Sequence, residues 1–195
     1  MGIFKKDSGS IEIDGKELID LEEIKQKLVY VPDDLFFFKN YTIKDMAIFY
    51  SKLYVRIKNY ESNLDKDFKY IFYNAQLGFT FQMQLLFAPI NLSDTEEIIN
   101  KKLDLVSKYI DMYIYSRVIN YRSCDYNTVK NRVFRITNEI RGLSVEELSN
   151  KLIDYVNTSE QKMDRFTYWE VNRYNKKYIK HLLARITGFI EESID

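Results

Sequence analysis

A chain of 195 residues is long enough for one domain, or for one domain with an appended piece. Its 46% apolar share supports a core, and 29 basic against 29 acidic residues exclude a global field drawing it to nucleic acid or membrane, so any such patch must be local. The single cysteine excludes an internal disulfide framework, and 6 Gly and 2 Pro against 16 Tyr and 13 Phe suit long packed helices better than a turn-rich sandwich.

Residues 10–14 alternate Ile11 and Ile13 with polar neighbours and then reach Asp14-Gly15, a strand-and-turn signal. Asp20 is placed to cap a short helix over 21–27, with Glu22 and Glu23 in its favourable first turn. The apolar run 28–31, ended by Pro32, reads as a buried strand. Thr42 with Asp45 three residues on resembles a capping box, and its helix continues through Met46, Phe49, Tyr50 and Leu53. Residues 55–65 are polar and read as a join.

From Phe68 onward the pattern is helical. Phe68, Ile71, Phe72 and Ala75 recur at helical spacing. Residues 79–87 alternate like a strand and equally fit a buried helix, ending at Pro89. Ser93 with Glu96 forms a capping box for a long helix to about Tyr121, striped by Ile99, Leu103, Val106, Ile110 and Tyr113. Asp125 or Asn127 caps the next helix, which reaches Arg141 and stops at Gly142. Ser144 with Glu147 opens a short helix containing Leu148, Leu152 and Ile153. After a polar loop over 157–163, Asn172 or Asn175 begins the last helix, striped by Tyr178, Leu182, Ile186 and Phe189. The expected fold class is mainly α: a helical bundle over 63–195 preceded by a small α/β fragment over 1–54. The expected division is 1–54, a join at 55–65, and a helical domain at 66–195.

The chemistry-bearing residues are few. A catalytic thiol at Cys124 needs a partner base, and the one histidine, His181, has no spacing that pairs with it. No second His or Cys is available for a metal, and no paired-carboxylate site or phosphate loop occurs. The expectation is therefore no catalytic residue, no metal and no cofactor. No stretch approaches the roughly 18 apolar residues that span a bilayer. The first ten residues have no apolar signal core, so the chain reads as cytoplasmic without membrane insertion.

The best lead is the basic corner 117–142. There Arg117, Arg122, Lys130, Arg132, Arg135 and Arg141 face only Asp125 and Glu139, with Val129, Val133, Ile136 and Ile140 on the other side. Candidate nucleic-acid contacts are Arg122, Lys130, Arg132 and Arg135, joined by Arg173, Lys176 and Lys177 at the last helix, which also carries Lys180 and Arg185. With Tyr121, Tyr126, Tyr174 and Tyr178 interleaved, the corner suits a DNA backbone and an extruded base. The competing reading is a solvated face whose arginines pair with Asp and Glu. Arg117 follows an apolar stripe, so a partly buried, structural pairing with Asp125 or Glu139 is expected. Trp169, with Phe166 and Tyr168, reads as a packed loop anchor.

Two resemblances add to this. DSGSIEIDGKEL followed by LVYVPDDLFFFKNYTIKDMAIFYSKLY, within residues 1–54, resembles the ATP-binding subunit of ABC transporters between its phosphate loop and signature motif. It has no G-x-x-x-x-G-K-[ST] string, signature motif or Walker B acid, and Asp33 follows Pro32 where that family often has glutamine. The resemblance therefore implies a fragment inactive alone for want of the phosphate loop.

The second covers about two thirds of the chain, residues 63–194. The segments YNAQLGFTFQMQLLFAPINLSDTEEIINKKLDLVSKYIDMYIYSRVINYRSCDYNTVKNRVFRITNEIRG and DRFTYWEVNRYNKKYIKHLLARITGFIE resemble the helical middle region of GmrSD-type modification-dependent restriction endonucleases of phage defence. The more specific pieces are the corner Arg117, Asn120 and Arg122, the stop Ile140-Arg141-Gly142, and residues 182–186 near the end. In that family the chemistry lies in a flanking ParB-like nucleotide-handling domain and an HNH-type nuclease domain. Neither a D-G-Q-Q-R string nor the nuclease set is found here, so no catalytic residue carries over. The resemblance implies a helical scaffold that positions double-stranded DNA, or nuclease or nucleotide-binding partner domains. The meeting of two partial resemblances points to a truncated or chimeric reading frame.

Overall fold

Thr95 has extended backbone angles and its side chain accepts from the Ile98 N–H, which satisfies one of the donors left open at a helix start. From that cap runs the longest helix of the computed structural model, which describes residues 12–13, 16–17, 41–158, 162–163 and 165–194. The chain divides into two compact units, 1–42 and 43–195. In the first, Glu12–Ile13 (β1) pairs antiparallel with Lys16–Glu17 (β2), Glu12 opposite Glu17 and Ile13 opposite Lys16. The helix expected over 21–27 and the strand over 28–31 lie outside the described residues.

The second unit is mainly helical, with α1 (Ile43–Ser62), α2 (Lys69–Leu77), α3 (Gln82–Phe87), α4 (Glu96–Ile119), α5 (Tyr126–Glu139), α6 (Val145–Val156) and α7 (Lys176–Ile194). A short 3-10 turn, Phe166–Tyr168, precedes α7. The expected stripe on α4, Ile99, Leu103, Val106, Ile110 and Tyr113, is buried. So are Tyr109, Ile114, Tyr115, Val118 and Ile119, because α4 packs against α2, α3 and α6 on different sides. A helix covered on several sides carries buried polar groups too, and these need partners. Lys102 Nζ donates to the Pro89 carbonyl and to Asp94 Oδ2, both at 2.7 Å. Asp111 accepts two bonds from Arg185 on α7, at 2.7 and 3.0 Å.

Several expectations are corrected by this packing. Helix α1 runs unbroken through Ser62, so residues 55–62 are not a join. Ile57 is fully buried, the Tyr60 ring stacks on Phe68 at 4.5 Å, and Arg56 reaches Glu96 and Asn100 on α4. The compact units divide at 42/43. The ambiguous stretch 79–87 resolves as a turn over 79–81 followed by helix over 82–87, with Leu85 and Leu86 buried. Gly78 ends α2 at φ 78°, a left-handed turn that only glycine adopts at little cost. Helix α4 starts after Thr95, not Ser93, because Asp94 is engaged elsewhere, accepting from the Asn91 N–H at 2.9 Å and from Lys102.

Asp125 caps α5 and the Ser144–Glu147 capping box opens α6, both as the sequence indicates. Asn172 and Asn175 both shape the start of α7: Asn172 Oδ1 accepts from the Asn175 N–H, and Asn175 Oδ1 from the Asn172 N–H. The α7 stripe is only half used. Tyr178 and Leu182 pack on the core, whereas Ile186 is 46% and Phe189 67% exposed. Among the described residues, no helix is long and apolar enough to cross a membrane.

Candidate functional site

The end of α4 sets the geometry. Arg122 N–H donates to the Arg117 carbonyl at 2.8 Å and Tyr121 N–H to the Val118 carbonyl at 3.1 Å. Together these form a Schellman helix stop, in which the left-handed residue is usually glycine. Here it is Tyr121, at φ 56°. A non-glycine residue in that conformation costs on the order of 1 kcal/mol or more. The Tyr121 hydroxyl is tied to the loop before α7, donating to the Tyr168 carbonyl at 3.0 Å and accepting from the Glu170 N–H at 3.4 Å. Asn120 Nδ2 donates to the Lys162 carbonyl at 2.7 Å. The corner thus brings α4, α5 and the segment leading into α7 together.

Four guanidinium side chains meet beside this stop. Arg117 and Arg122 flank it, and Arg132 and Arg135 reach in from α5, lining a cavity of about 350 Å³ with Tyr113, Ser116 and Asn131. Among the described residues, no carboxylate lines it. Arg117 Nε donates to the Ser123 carbonyl at 2.8 Å, which corrects the expected pairing with Asp125 or Glu139. Asp125 is instead occupied as the cap of α5 and by the Ser123 hydroxyl. Glu139 binds the Tyr155 hydroxyl at 2.5 Å and Lys151 at 2.9 Å, leaving only a 3.9 Å contact to Arg135. The Arg132 guanidinium lies over the Tyr155 ring at 5.3 Å. Its Nε is buried without a hydrogen-bond partner among the described residues, as is the Tyr113 hydroxyl. Burial raises the Tyr113 phenol pKa, with nearby Arg117 opposing. The arrangement concentrates positive charge around two unsatisfied polar groups, which is the chemistry of an anion site.

A second cavity of about 340 Å³ adjoins it through Arg122. Val118, Tyr121, Ser123, Cys124, Asn172, Tyr174, Asn175 and Tyr178 form the rest of its wall. The Cys124 thiol contacts the Ile114 carbonyl at 3.8 Å, and burial pushes its pKa up to about 11, so it is held as an unreactive thiol.

The sequence candidates therefore separate. Arg122, Arg132 and Arg135 share the arginine cavity. Lys130 lies on another face of α5, its Nζ 5.9 Å from the centre of the Tyr126 ring, which in turn stacks on Phe81. Arg173 and Lys176 are exposed near the start of α7. Lys177 donates to the Leu77 carbonyl at 2.9 Å and so closes the end of α2. Arg185 is removed from the basic face by its two bonds to Asp111 and lies 4.4 Å from the centre of the Tyr73 ring. His181 accepts or donates through Nδ1 to the Tyr115 hydroxyl at 3.1 Å. Trp169 packs against the core with its ring 6.0 Å from Phe166. Tyr113, Ser116 and Asn131 were not flagged by the sequence. Their signal was spacing alone, Tyr113 one turn before Arg117 and Asn131 one turn before Arg135.

Among the described residues, no group of three His, Cys, Asp or Glu side chains is placed to hold a metal ion. No protein-family model, curated protein or solved structure matches this chain.

Proposed function

We propose that the helical part, residues 63–195, is a scaffold that positions double-stranded DNA or partner domains within a GmrSD-like restriction protein of phage defence, without an active site of its own. The observation carrying this reading is the cavity where Arg117, Arg122, Arg132 and Arg135 converge with no lining carboxylate among the described residues. Guanidinium groups bind phosphate oxygens through paired N–H donors, and such contacts position a duplex without reading its sequence. The sequence resemblance supplies the class of protein. Partner nuclease or nucleotide-handling domains supply the chemistry in this reading.

The test is duplex DNA binding across a salt series. Each phosphate contact contributes about −0.9 to the slope of log affinity against log salt. Arg132→Ala with Arg135→Ala is expected to weaken binding and make that slope shallower by about 1 to 2. A salt-independent affinity, or a slope untouched by the double substitution, would remove the reading.

A further inference from the structure

We infer that the arginine cavity and the tyrosine-lined cavity beside it are one composite site for a nucleotide, its phosphate among the guanidiniums and its base against the tyrosines. This rests on the reading that the arginines take phosphate, and goes beyond it by assigning the neighbouring cavity to the base. The ligand chemistry is a nucleoside monophosphate unit, either free or unpaired within a strand.

Three observations point to it. Arg122 lines both cavities, so its side chain borders a ligand held at either one. At the phosphate end, Tyr113 is only 4% exposed and its hydroxyl, beside the Arg117 guanidinium, donates to no acceptor among the described residues, and Arg132 Nε is buried and unpaired. Buried donors without partners are rare in folded proteins, and a phosphate oxygen accepts from both kinds. At the other end, Tyr174 is 88% and Tyr121 49% exposed on the second cavity, with half-buried Tyr178 beside them. Rings held open on a cavity wall offer stacking faces, and every base has a π-face to meet them. Asn172 adds a polar edge: its Oδ1 is used by the Tyr174 and Asn175 N–H groups, which leaves its amide N–H2 for a base acceptor. Each cavity has the volume of a small-ligand site, about 300 Å³ or more.

The competing occupant is an anion alone, with the tyrosines as ordinary surface. Titration calorimetry separates the two with four probes: inorganic phosphate, AMP, a single-stranded oligo-dT 12-mer and the duplex used above. The variants are Arg132→Gln and Tyr174→Ala; the latter side chain is so exposed that its removal leaves the fold intact, checked by circular dichroism. Stacking of one base is expected to give AMP about a tenfold advantage over phosphate. Tyr174→Ala should abolish that advantage without changing phosphate affinity, and Arg132→Gln should weaken both. If AMP fails but the 12-mer binds and loses about tenfold in Tyr174→Ala, the site takes a strand nucleotide and not a free one. Equal affinities for AMP and phosphate, together with 12-mer binding indifferent to Tyr174→Ala, overturn the composite site. Duplex binding would in that case still support the DNA scaffold. Failure of all four probes overturns both.

Discussion

Lys102 is 1% exposed, the most deeply buried charge among the described residues, and its ammonium depends on Asp94 and the Pro89 carbonyl. Removing one partner of such a pair strands the other charge in a low-dielectric interior. Asp94→Ala is therefore expected to cost about 3–5 kcal/mol in urea unfolding. Lys102→Met combined with Asp94→Ala should recover most of that loss, since apolar replacement of a whole buried pair is often neutral. A double variant as unstable as Asp94→Ala would show that the turn at 91–94, not the charge, carries the effect. Nothing in the sequence distinguished Lys102 from the exposed Lys101 beside it. Burial of a lysine on a helix depends on which neighbouring helix covers that face, and single-chain periodicity does not contain that.

At the level of elements, the caps were the most legible features. Ser144 with Glu147 and Asp125 are local signals, satisfied within four residues, and the structure uses both as read. Ser93 failed as a cap because its neighbour Asp94 is bound to a residue eight positions on. Tyr121 at a left-handed helix stop was illegible because glycine is the usual sign of one. The arginine cavity was legible in charge but not in membership: three of the seven candidates enter it, and Arg117, read as structural, is the fourth guanidinium. Lys177 and Arg185 left the basic face because α2 and α4 each supplied an acceptor from far away in sequence.

The docking of α7 also predicts a pH response. Burial lowers the pKa of His181 first, and Arg185 and Lys177 lower it further, against an opposing effect of Asp111. The unfolded histidine takes its proton near pH 6.5 and the folded one only at lower pH. Between those values the unfolded state binds more protons, so this contribution is complete above about 6.5 and is lost as pH falls through the folded value. Thermal stability measured from about pH 7 to 5.5 should decline, and His181→Gln should flatten that part of the curve. A decline unchanged by the substitution would assign it to other groups.

At the scale of the helical unit, stability should be graded outward from α4. Its residues Leu103, Val106, Ile110 and Ile114 are at most 1% exposed, whereas Leu183, Ile186, Phe189 and Ile190 are about half exposed or more. Native-state hydrogen exchange is expected to be slowest in α4 and fastest in the second half of α7. Equal protection of the two would mean that α7 gains cover not present here. The mainly helical class was legible because long periodic stretches and few breakers constrain it strongly. The continuation of α1 through 55–62 was not, because its polar surface has the composition of a linker while its inner face, through Ile57, is core.

The bond from Lys177 to the Leu77 carbonyl joins positions 100 residues apart, and Arg185 meets Asp111 across 74. During synthesis, then, the first four helices emerge well before the groups that finish their packing. At about 5–20 residues per second, α2 waits on the order of 5–20 s for the lysine that closes its end. Helical proteins usually fold from near-neighbour contacts. This one places two long-range polar links on α7, so the ends they tie are completed only once that helix has been made.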